Sequence, residues 1–529
     1  MKFLARIPLA VAFVLPLFAQ VPYERIVKAA SEPQSWLTYS GAYHAQRYST
    51  LDQIRRDNAA QLQPAWMYQI RARDPFETSP LVADGVMYIS EPPSDVTALD
   101  LKTGRPIWSY RRSLPQGIIV CCGQVNRGVA LLDDQVFVGT VDAHLVALDQ
   151  RTGRVRWDVT VSDYTTAHSV TVAPLALKDK IVVGIAGGEY GIRGFLDAYD
   201  PKTGKRLWRF WTVPGPGEAG NETWAGESWK TGAAATWATG AYDPELNLLY
   251  WGVGNPGPDF DGAPRLGDNL YADSIVALDP DSGELKWYFQ FTPHDVHDMD
   301  SAQVPVLVDA DFRGRPRKLL LFPNRNGFYY VLDRVSGEFL VGKQFAKQTW
   351  AKGLAANGRP IPNPDAQPTK QGAPVYPDDD GAANWYSPSY SPQTGLIYQN
   401  VREKGAIFYL NDSEYEPGKN FMAASKRALT NEDPKGSLRA LNALSGELVW
   451  EFPVHTPPWC GLLATAGGVV FSGTEEGDFF AVDAATGKLL WRFRTGGRII
   501  ANPITYLSEG RQFVAIAAGS AVITFALPL

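Results

Sequence analysis

The stretch Ala147-Leu148-Asp149-Gln150-Arg151-Thr152-Gly153-Arg154-Val155-Arg156-Trp157 reads as strand, tight turn, strand. An Asp at the position of Asp149 caps the turn, a Gly at the position of Gly153 takes the positive φ that other residues resist, and apolar alternation flanks both. The closing Trp157 adds a large flat surface that wedges between neighbouring sheets. The same pattern returns at Ala98 to Trp108, Ala198 to Trp208, Ala277 to Trp287, Ala440 to Trp450 and Ala481 to Trp491. Val331-Leu332-Asp333 with Ser336-Gly337 is a copy without its Trp.

Self-similarity of this kind marks a repeat architecture. Successive Asp or Asn positions lie 49, 51, 79, 54, 109 and 41 residues apart, so the long intervals must hold insertions or a degenerate copy. Ser391 to Tyr398, with Thr394-Gly395, reads as a weakened copy inside the longest interval. Adding the region from Trp36 to Trp66 gives about eight units, and the expected fold is all-β: an eight-bladed β-propeller docked through the Trp of each repeat. A stack of open repeats is the competing arrangement, but no polar end caps are evident.

Composition agrees. With 49 Gly and 39 Pro among 529 residues, turns are frequent and long helices few, while 12% aromatic residues supply a large core. Lys and Arg number 50 against 56 Asp and Glu, a net charge of −6 that argues against nucleic acid as the partner. Lys2 and Arg6, the apolar run Ile7 to Phe18 and the small Ala19 read as a signal peptide over residues 1–20. That run is shorter than the roughly 20 residues needed to span a bilayer, and no later segment is long and apolar enough, so an exported protein with no transmembrane segment is expected. Residues 21–529 read as one domain because no linker or charge block divides them. Pro214 to Gly232 and Gly358 to Pro377 depart from the repeat and read as excursions over one face.

Chemistry concentrates in a few places. Cys121 and Cys122 are adjacent, and adjacency alone leaves open whether they bond to each other. Three cysteines allow at most one intrachain bridge. Glu189 in Ala186-Gly187-Gly188-Glu189, Asn255 in Gly254-Asn255-Pro256, and Asp298 with Asp300 offer oxygen ligands suited to a hard cation, although each alone also reads as a solvated loop residue. His294 and His297 lack a third nitrogen or sulfur ligand at zinc spacing and read as structural hydrogen-bonders.

Taken together, Phe76-Glu77-Thr78-Ser79-Pro80, Cys121-Cys122 with Arg127, Ala186 to Glu189, Trp237, Gly254-Asn255-Pro256, His294 to Asp298, Asn324-Arg325-Asn326-Gly327 and Trp459 resemble the quinoprotein alcohol dehydrogenases that use pyrroloquinoline quinone (PQQ). The resemblance runs in order along nearly the whole chain after residue 20. It implies that the planar cofactor lies between Trp237 as floor and a Cys121–Cys122 disulfide as lid. It also implies that Arg127, Thr171 and the backbone at Ala186, Gly187 and Gly188 hold the quinone's carboxylates. Glu77, Asn384, Trp385 and Trp459 match contacts to its edge, with core packing the rival role for Trp385. The metal set it implies is Glu189, Asn255 and Asp298, with Arg325 assisting at the reactive carbonyl and Asp298 as the general base.

Asp300 departs from the calcium-type methanol dehydrogenases, which carry a small residue there, and resembles the lanthanide-dependent members. A trivalent ion demands more negative charge. A similar Asp-Met-Asp run also occurs in some calcium or magnesium quinoprotein sugar dehydrogenases, so one lanthanide(III) or Ca²⁺ ion is expected. The implied partners are a small primary alcohol and, since no Cys-x-x-Cys-His haem motif occurs, a separate cytochrome c in the periplasm. A homodimer is compatible with the sequence. The alternatives are a PQQ-dependent sugar or polyol dehydrogenase and a non-catalytic propeller scaffold, as in outer-membrane assembly factors.

Overall fold

A computed structural model describes residues 20–71, 75–430 and 432–529 of the chain, so residues 1–19 of the expected signal peptide lie outside the described residues. The protein is an all-β propeller. Among the described residues, seven four-stranded sheets and one five-stranded sheet follow one another, nearly all antiparallel. The repeat forms the third strand, turn and fourth strand of its sheet: His144–Asp149 pairs with Val155–Thr160, with Ala147 opposite Trp157. The turn chemistry is as the sequence dictates. Asp149 Oδ1 accepts from the Thr152 amide at 2.9 Å and its hydroxyl at 2.7 Å, and Gly153 sits at φ +69°.

Burial grades across each sheet. The second strand Gln135–Gly139 is buried on both faces, whereas the fourth, Val155–Thr160, alternates between exposed and half-buried positions. The sheet that holds Ile504–Ser508, Arg511–Ala518 and Ala521–Ala526 takes its remaining strand, Gln63–Gln69, from near the other end of the chain.

The repeat tryptophans lie against the next copy's glycine. Trp208 Nε1 donates to the Pro280 carbonyl at 2.9 Å, and a Cβ placed on Gly283 would fall 2.7 Å from the indole Cδ2. Trp66, Trp108, Trp157, Trp287 and Trp450 stand the same way to Gly104, Gly153, Gly204, Gly337 and Gly487. Where the copy at Asp333 lacks its Trp, Tyr329 occupies the equivalent place. Its hydroxyl donates to the Ala443 carbonyl at 2.6 Å, and a Cβ on Gly446 would fall 2.7 Å from its ring.

One expectation is corrected. Ser391 to Tyr398 is no independent copy: its turn joins Ser389–Ser391 to Leu396–Glu403, the first two strands of the sheet whose third and fourth strands carry the Ala440 copy. It shares the turn chemistry, with Gly395 at φ +66°, but no heavy atom lies within 4 Å of where a Cβ on Gly395 would stand, so no indole packs there. The long interval is filled instead by a hairpin, Ala351–Leu354 with Pro360–Pro362, and a small sheet of Ala373–Val375, Ala406–Leu410 and Ala424–Ala428.

Candidate functional site

Antiparallel pairing puts the start of a first strand and the end of the second at the same end of a sheet. Glu77, Arg127, Thr171, Trp237, Asp300, Trp385 and Trp459 each lie a few residues before a first strand. Glu189, Asn255 and Arg325 each follow a second one. Residues spread over most of the sequence are thereby delivered to one end of successive sheets.

Arg127 organises one half of the site. Its guanidinium carbon lies 4.8 Å from the Trp237 ring centroid and 4.9 Å from that of Trp385, so it is sandwiched between two indoles. One Nη donates to Thr171 Oγ1 at 2.9 Å, and the other pairs with Glu77 Oε2 at 2.9 Å. Burial raises the Glu77 pKa, with Arg127 opposing. Arg127 Nε is buried without an acceptor.

Cys121 and Cys122 are joined in a disulfide whose Cys122 Sγ comes within 4.0 Å of Glu189 Oε1. A bonded sulfur has no hydrogen to donate and is no thiolate, so the closeness of both sulfurs to Glu189 is a packing contact and no metal cluster. The guanidinium of Arg402 stacks on Trp459 at 4.1 Å. Asn384 is turned into its own loop, donating to the Asp380 carbonyl and accepting from the Trp385 amide, both at 2.8 Å.

The other half is acidic and built around Arg325. One Nη donates to Asp300 Oδ2 at 2.6 Å; the other lies 3.2 Å from Asp298 Oδ2 and also donates to the Asp379 carbonyl. Asp300 Oδ1 accepts from the Asn255 amide at 2.9 Å, so both of its oxygens are engaged. A Cβ on Gly254 would collide with that oxygen, which explains the glycine before Asn255. A Cβ on Gly188 would stand 3.8 Å from Asn255 Oδ1, so the Glu189 turn packs on Asn255.

Asp298 sits at φ +57°, a strained conformation for a non-glycine residue. Burial holds its pKa well above the ordinary value; Arg325 opposes, while Asp300, Asp259 and Asp379 add to the rise. Burial also pushes Glu189 up to about 7, with Asp300 contributing. His294 and His297 donate to the Gly267 and Ala366 carbonyls at 2.8 Å each, in the structural role expected of them.

Three carboxylates escaped the sequence reading, one of them that of Asp273, buried without hydrogen bonds among the described residues and near Asp295 and Asp300. Asp379 lies beside Arg325, with one oxygen paired to Lys426. Asp259 is 1% exposed, and neither of its carboxylate oxygens has a hydrogen-bond partner among the described residues. Its only sequence signal is its position four residues after Asn255, in Pro256-Gly257-Pro258-Asp259.

The residues fit the cofactor pair that the sequence implies. Glu189, Asp298 and Asp300 gather about one guanidinium, Arg325, and Asp259 lies beside Glu189 and Asp300 with Arg265 near it, a surplus of buried negative charge that a hard cation relieves. Conversely, Arg127 Nε and Arg325 Nε are buried donors without acceptors, suited to the carboxylates and carbonyls of a quinone.

The chain matches the family described as "Glucose/ethanol/alcohol dehydrogenase, beta-propeller domain" over residues 36–344. Residues 434–526 match that described as "Outer membrane protein assembly factor BamB". It is 40% identical to the quinoprotein alcohol dehydrogenase PedH of Pseudomonas putida, over 95% of this chain and 89% of that protein. It is 36% identical to the lanthanide-dependent methanol dehydrogenase of Methylacidiphilum fumariolicum, over 94% and 88%. The crystal structure of quinohemoprotein alcohol dehydrogenase from Comamonas testosteroni superposes with a TM-score of 0.92 at 36% identity, covering 96% of this chain and 82% of that one. The chain belongs to the quinoprotein alcohol dehydrogenase family.

Proposed function

We propose that this protein oxidises a small primary alcohol to the aldehyde with bound PQQ and one lanthanide(III) or Ca²⁺ ion, and passes the electrons to a separate cytochrome c. The observation that carries this reading is the pairing of an acidic pocket, short of cations, with buried guanidinium donors short of acceptors, beside an indole and a disulfide. Trp237 and the Cys121–Cys122 disulfide are the flat faces for the quinone, and Arg127 with Thr171 and the backbone at Ala186, Gly187 and Gly188 binds its carboxylates. Glu77, Trp385 and Trp459 line its edge; Asn384 fixes the loop that carries Trp385. Glu189, Asn255, Asp298 and Asp300 hold the cation. When bound, the quinone supplies a two-electron acceptor at its C5 carbonyl and the cation the Lewis acidity that polarises it.

Asp298 takes the hydroxyl proton of the alcohol. Arg325, 3.2 Å from Asp298 Oδ2, keeps that carboxylate oriented and offers its unpartnered Nε to developing negative charge. Without a cation, burial shifts Asp298 toward its protonated form; a bound positive ion would oppose that shift and favour the carboxylate that accepts the proton. The repeated sheets, each with its indole against the next glycine, support an eight-bladed ring as a single domain over residues 21–529. Among the described residues, no helix is long and apolar enough to cross a membrane, and export to the periplasm goes with the basic and apolar residues at the start of the sequence.

The test is reconstitution of the full chain with PQQ and, in parallel, calcium or a light lanthanide, across alcohols of increasing length, with dye or cytochrome c as acceptor. Turnover with a quinone absorption band is expected, and Asp298→Asn should abolish turnover while keeping the band. No band and no dye reduction with either ion would count for a scaffold; full turnover in Asp298→Asn would remove Asp298 from the reaction.

A further inference from the structure

We propose that Asp259 is a fourth carboxylate of the cation site, and that its charge biases the site toward a trivalent over a divalent ion. The inference rests on the cation site proposed above and adds a residue to it. The residue is 1% exposed, and neither carboxylate oxygen has a hydrogen-bond partner among the described residues. That leaves both protonation states unsatisfied: the ionised form lacks a donor or cation, and the neutral acid lacks an acceptor for its proton.

Its neighbours locate it. The charges of Glu189 and Asp300 bear on Asp259, the amide of Asn255 lies beside it without making a hydrogen bond of acceptable geometry, and its own charge bears on Asp298. These are the residues assigned to the ion. The nearby buried cation, Arg265, opposes its charge but gives its carboxylate no hydrogen bond. That guanidinium donates to the carbonyls of Pro258, Asp259 and Asp295 and to Asn269 Oδ1, and so serves the loop's backbone. Asp300, by contrast, has both oxygens held by Arg325 and the Asn255 amide. The Asp273 carboxylate is equally buried and without hydrogen bonds among the described residues, but it faces Asp295 and Asp300, and both Arg265 and Arg325 oppose its charge; Asp259 is the carboxylate beside Glu189 and Asp298 that no hydrogen bond engages. An ion of higher charge gains more from it.

The experiment compares wild type, Asp259→Asn and Asp259→Glu as quinone-loaded full chains stripped of metal. Dissociation constants for lanthanum(III) and for calcium are read by chelator competition with metal content measured by mass spectrometry, a readout independent of turnover. Attraction to one carboxylate scales with ion charge, so a tenfold loss of lanthanum affinity in Asp259→Asn corresponds to a loss of about fivefold for calcium. Asp259→Glu should keep the wild-type ratio of the two constants. The metal-free Asn variant should also melt above the metal-free wild type, because a buried unpaired carboxylate has gone. If Asp259→Asn fails to fold, Asp259→Ser carries the same comparison.

Wild-type lanthanum affinity in the neutral variant overturns the proposal, and equal fold-losses for the two ions overturn its selectivity. If the wild type takes up neither ion, the cation site itself falls, an outcome distinct from both.

Discussion

Replacing Gly283 by Ala separates the contribution of the indole contact from that of the turn. The new Cβ would stand 2.7 Å from Trp208 Cδ2 and Cε3 and 3.1 Å from Cγ, against an ordinary carbon contact of about 3.5–4.0 Å. Trp208 is poorly placed to retreat, being 9% exposed and tied by Nε1 to the Pro280 carbonyl at 2.9 Å. Overpacking of this kind costs about 1–3 kcal/mol, and forcing Ala into the left-handed region adds about 1–2 kcal/mol. Gly510 is the matched control: its φ is +76°, the same as that of Gly283, yet no heavy atom lies within 4 Å of where its Cβ would be. Gly510→Ala therefore carries only the second cost.

For a chain of this length, unfolding entropy makes 1 kcal/mol worth roughly 1 °C. Scanning calorimetry should place Gly283→Ala about 2–5 °C below wild type and Gly510→Ala about 1–2 °C below it. Equal decrements in the two variants would show that the indole does not set the requirement for glycine, and the account of the repeat would have to be given up.

Metal removal should give stability an unusual pH dependence. The folded metal-free chain holds a proton on Glu189 up to about pH 7, while the unfolded chain releases it near 4.5, so this contribution is complete below pH 4.5 and is lost as pH rises through 7. The loss is at most about 3 kcal/mol; urea unfolding of the metal-loaded protein should be nearly flat over that range, and a metal-free protein that gains stability there would refute the assignment. Asp300→Ala should lower lanthanide-supported turnover more than calcium-supported turnover, and equal losses would defeat the charge argument. Arg127→Lys keeps the charge but gives up the planar fork between two indoles, so quinone affinity, followed by tryptophan quenching, should fall about tenfold. Tyr329→Phe removes a buried hydrogen bond to Ala443, leaves that carbonyl unpaired, and should cost about 1–2 kcal/mol in unfolding experiments.

Much of the architecture was legible because one turn type is repeated with its chemistry intact. Asp at the cap, Gly at positive φ and Trp across the ladder identified the strand pairs around Asp100, Asp149, Asp200, Asp279, Asn442 and Asp483. The same reliance on turn residues misread Ser391 to Tyr398. A Thr-Gly hairpin looks alike at any place in a sheet, and what distinguishes the repeat is an indole delivered from the preceding sheet. Tyr329 was invisible for the complementary reason: it does the work of the missing Trp from a position outside the motif. In the site, Arg325, Asp298 and Asp300 were found through motif and order. Asp259 was not, because its importance lies in the absence of partners on every side, which no local pattern encodes. Asn384 shows the reverse, a residue at the expected position whose amide is taken up by its own loop.

The pairing of Gln63–Gln69 with Ala521–Ala526 has a consequence for biogenesis. An early segment of the polypeptide waits for its hydrogen-bonding partner until a strand more than four hundred residues further along has been made, and joining them closes a loop of that length, a slow step for any chain. Until then the strand that carries Trp66 lacks its ladder partner, and Ala521–Ala526 presents an open edge until Gln63–Gln69 docks on it. A molecule assembled this way latches late and all at once, which keeps it pliable during any passage it must make in an unfolded form.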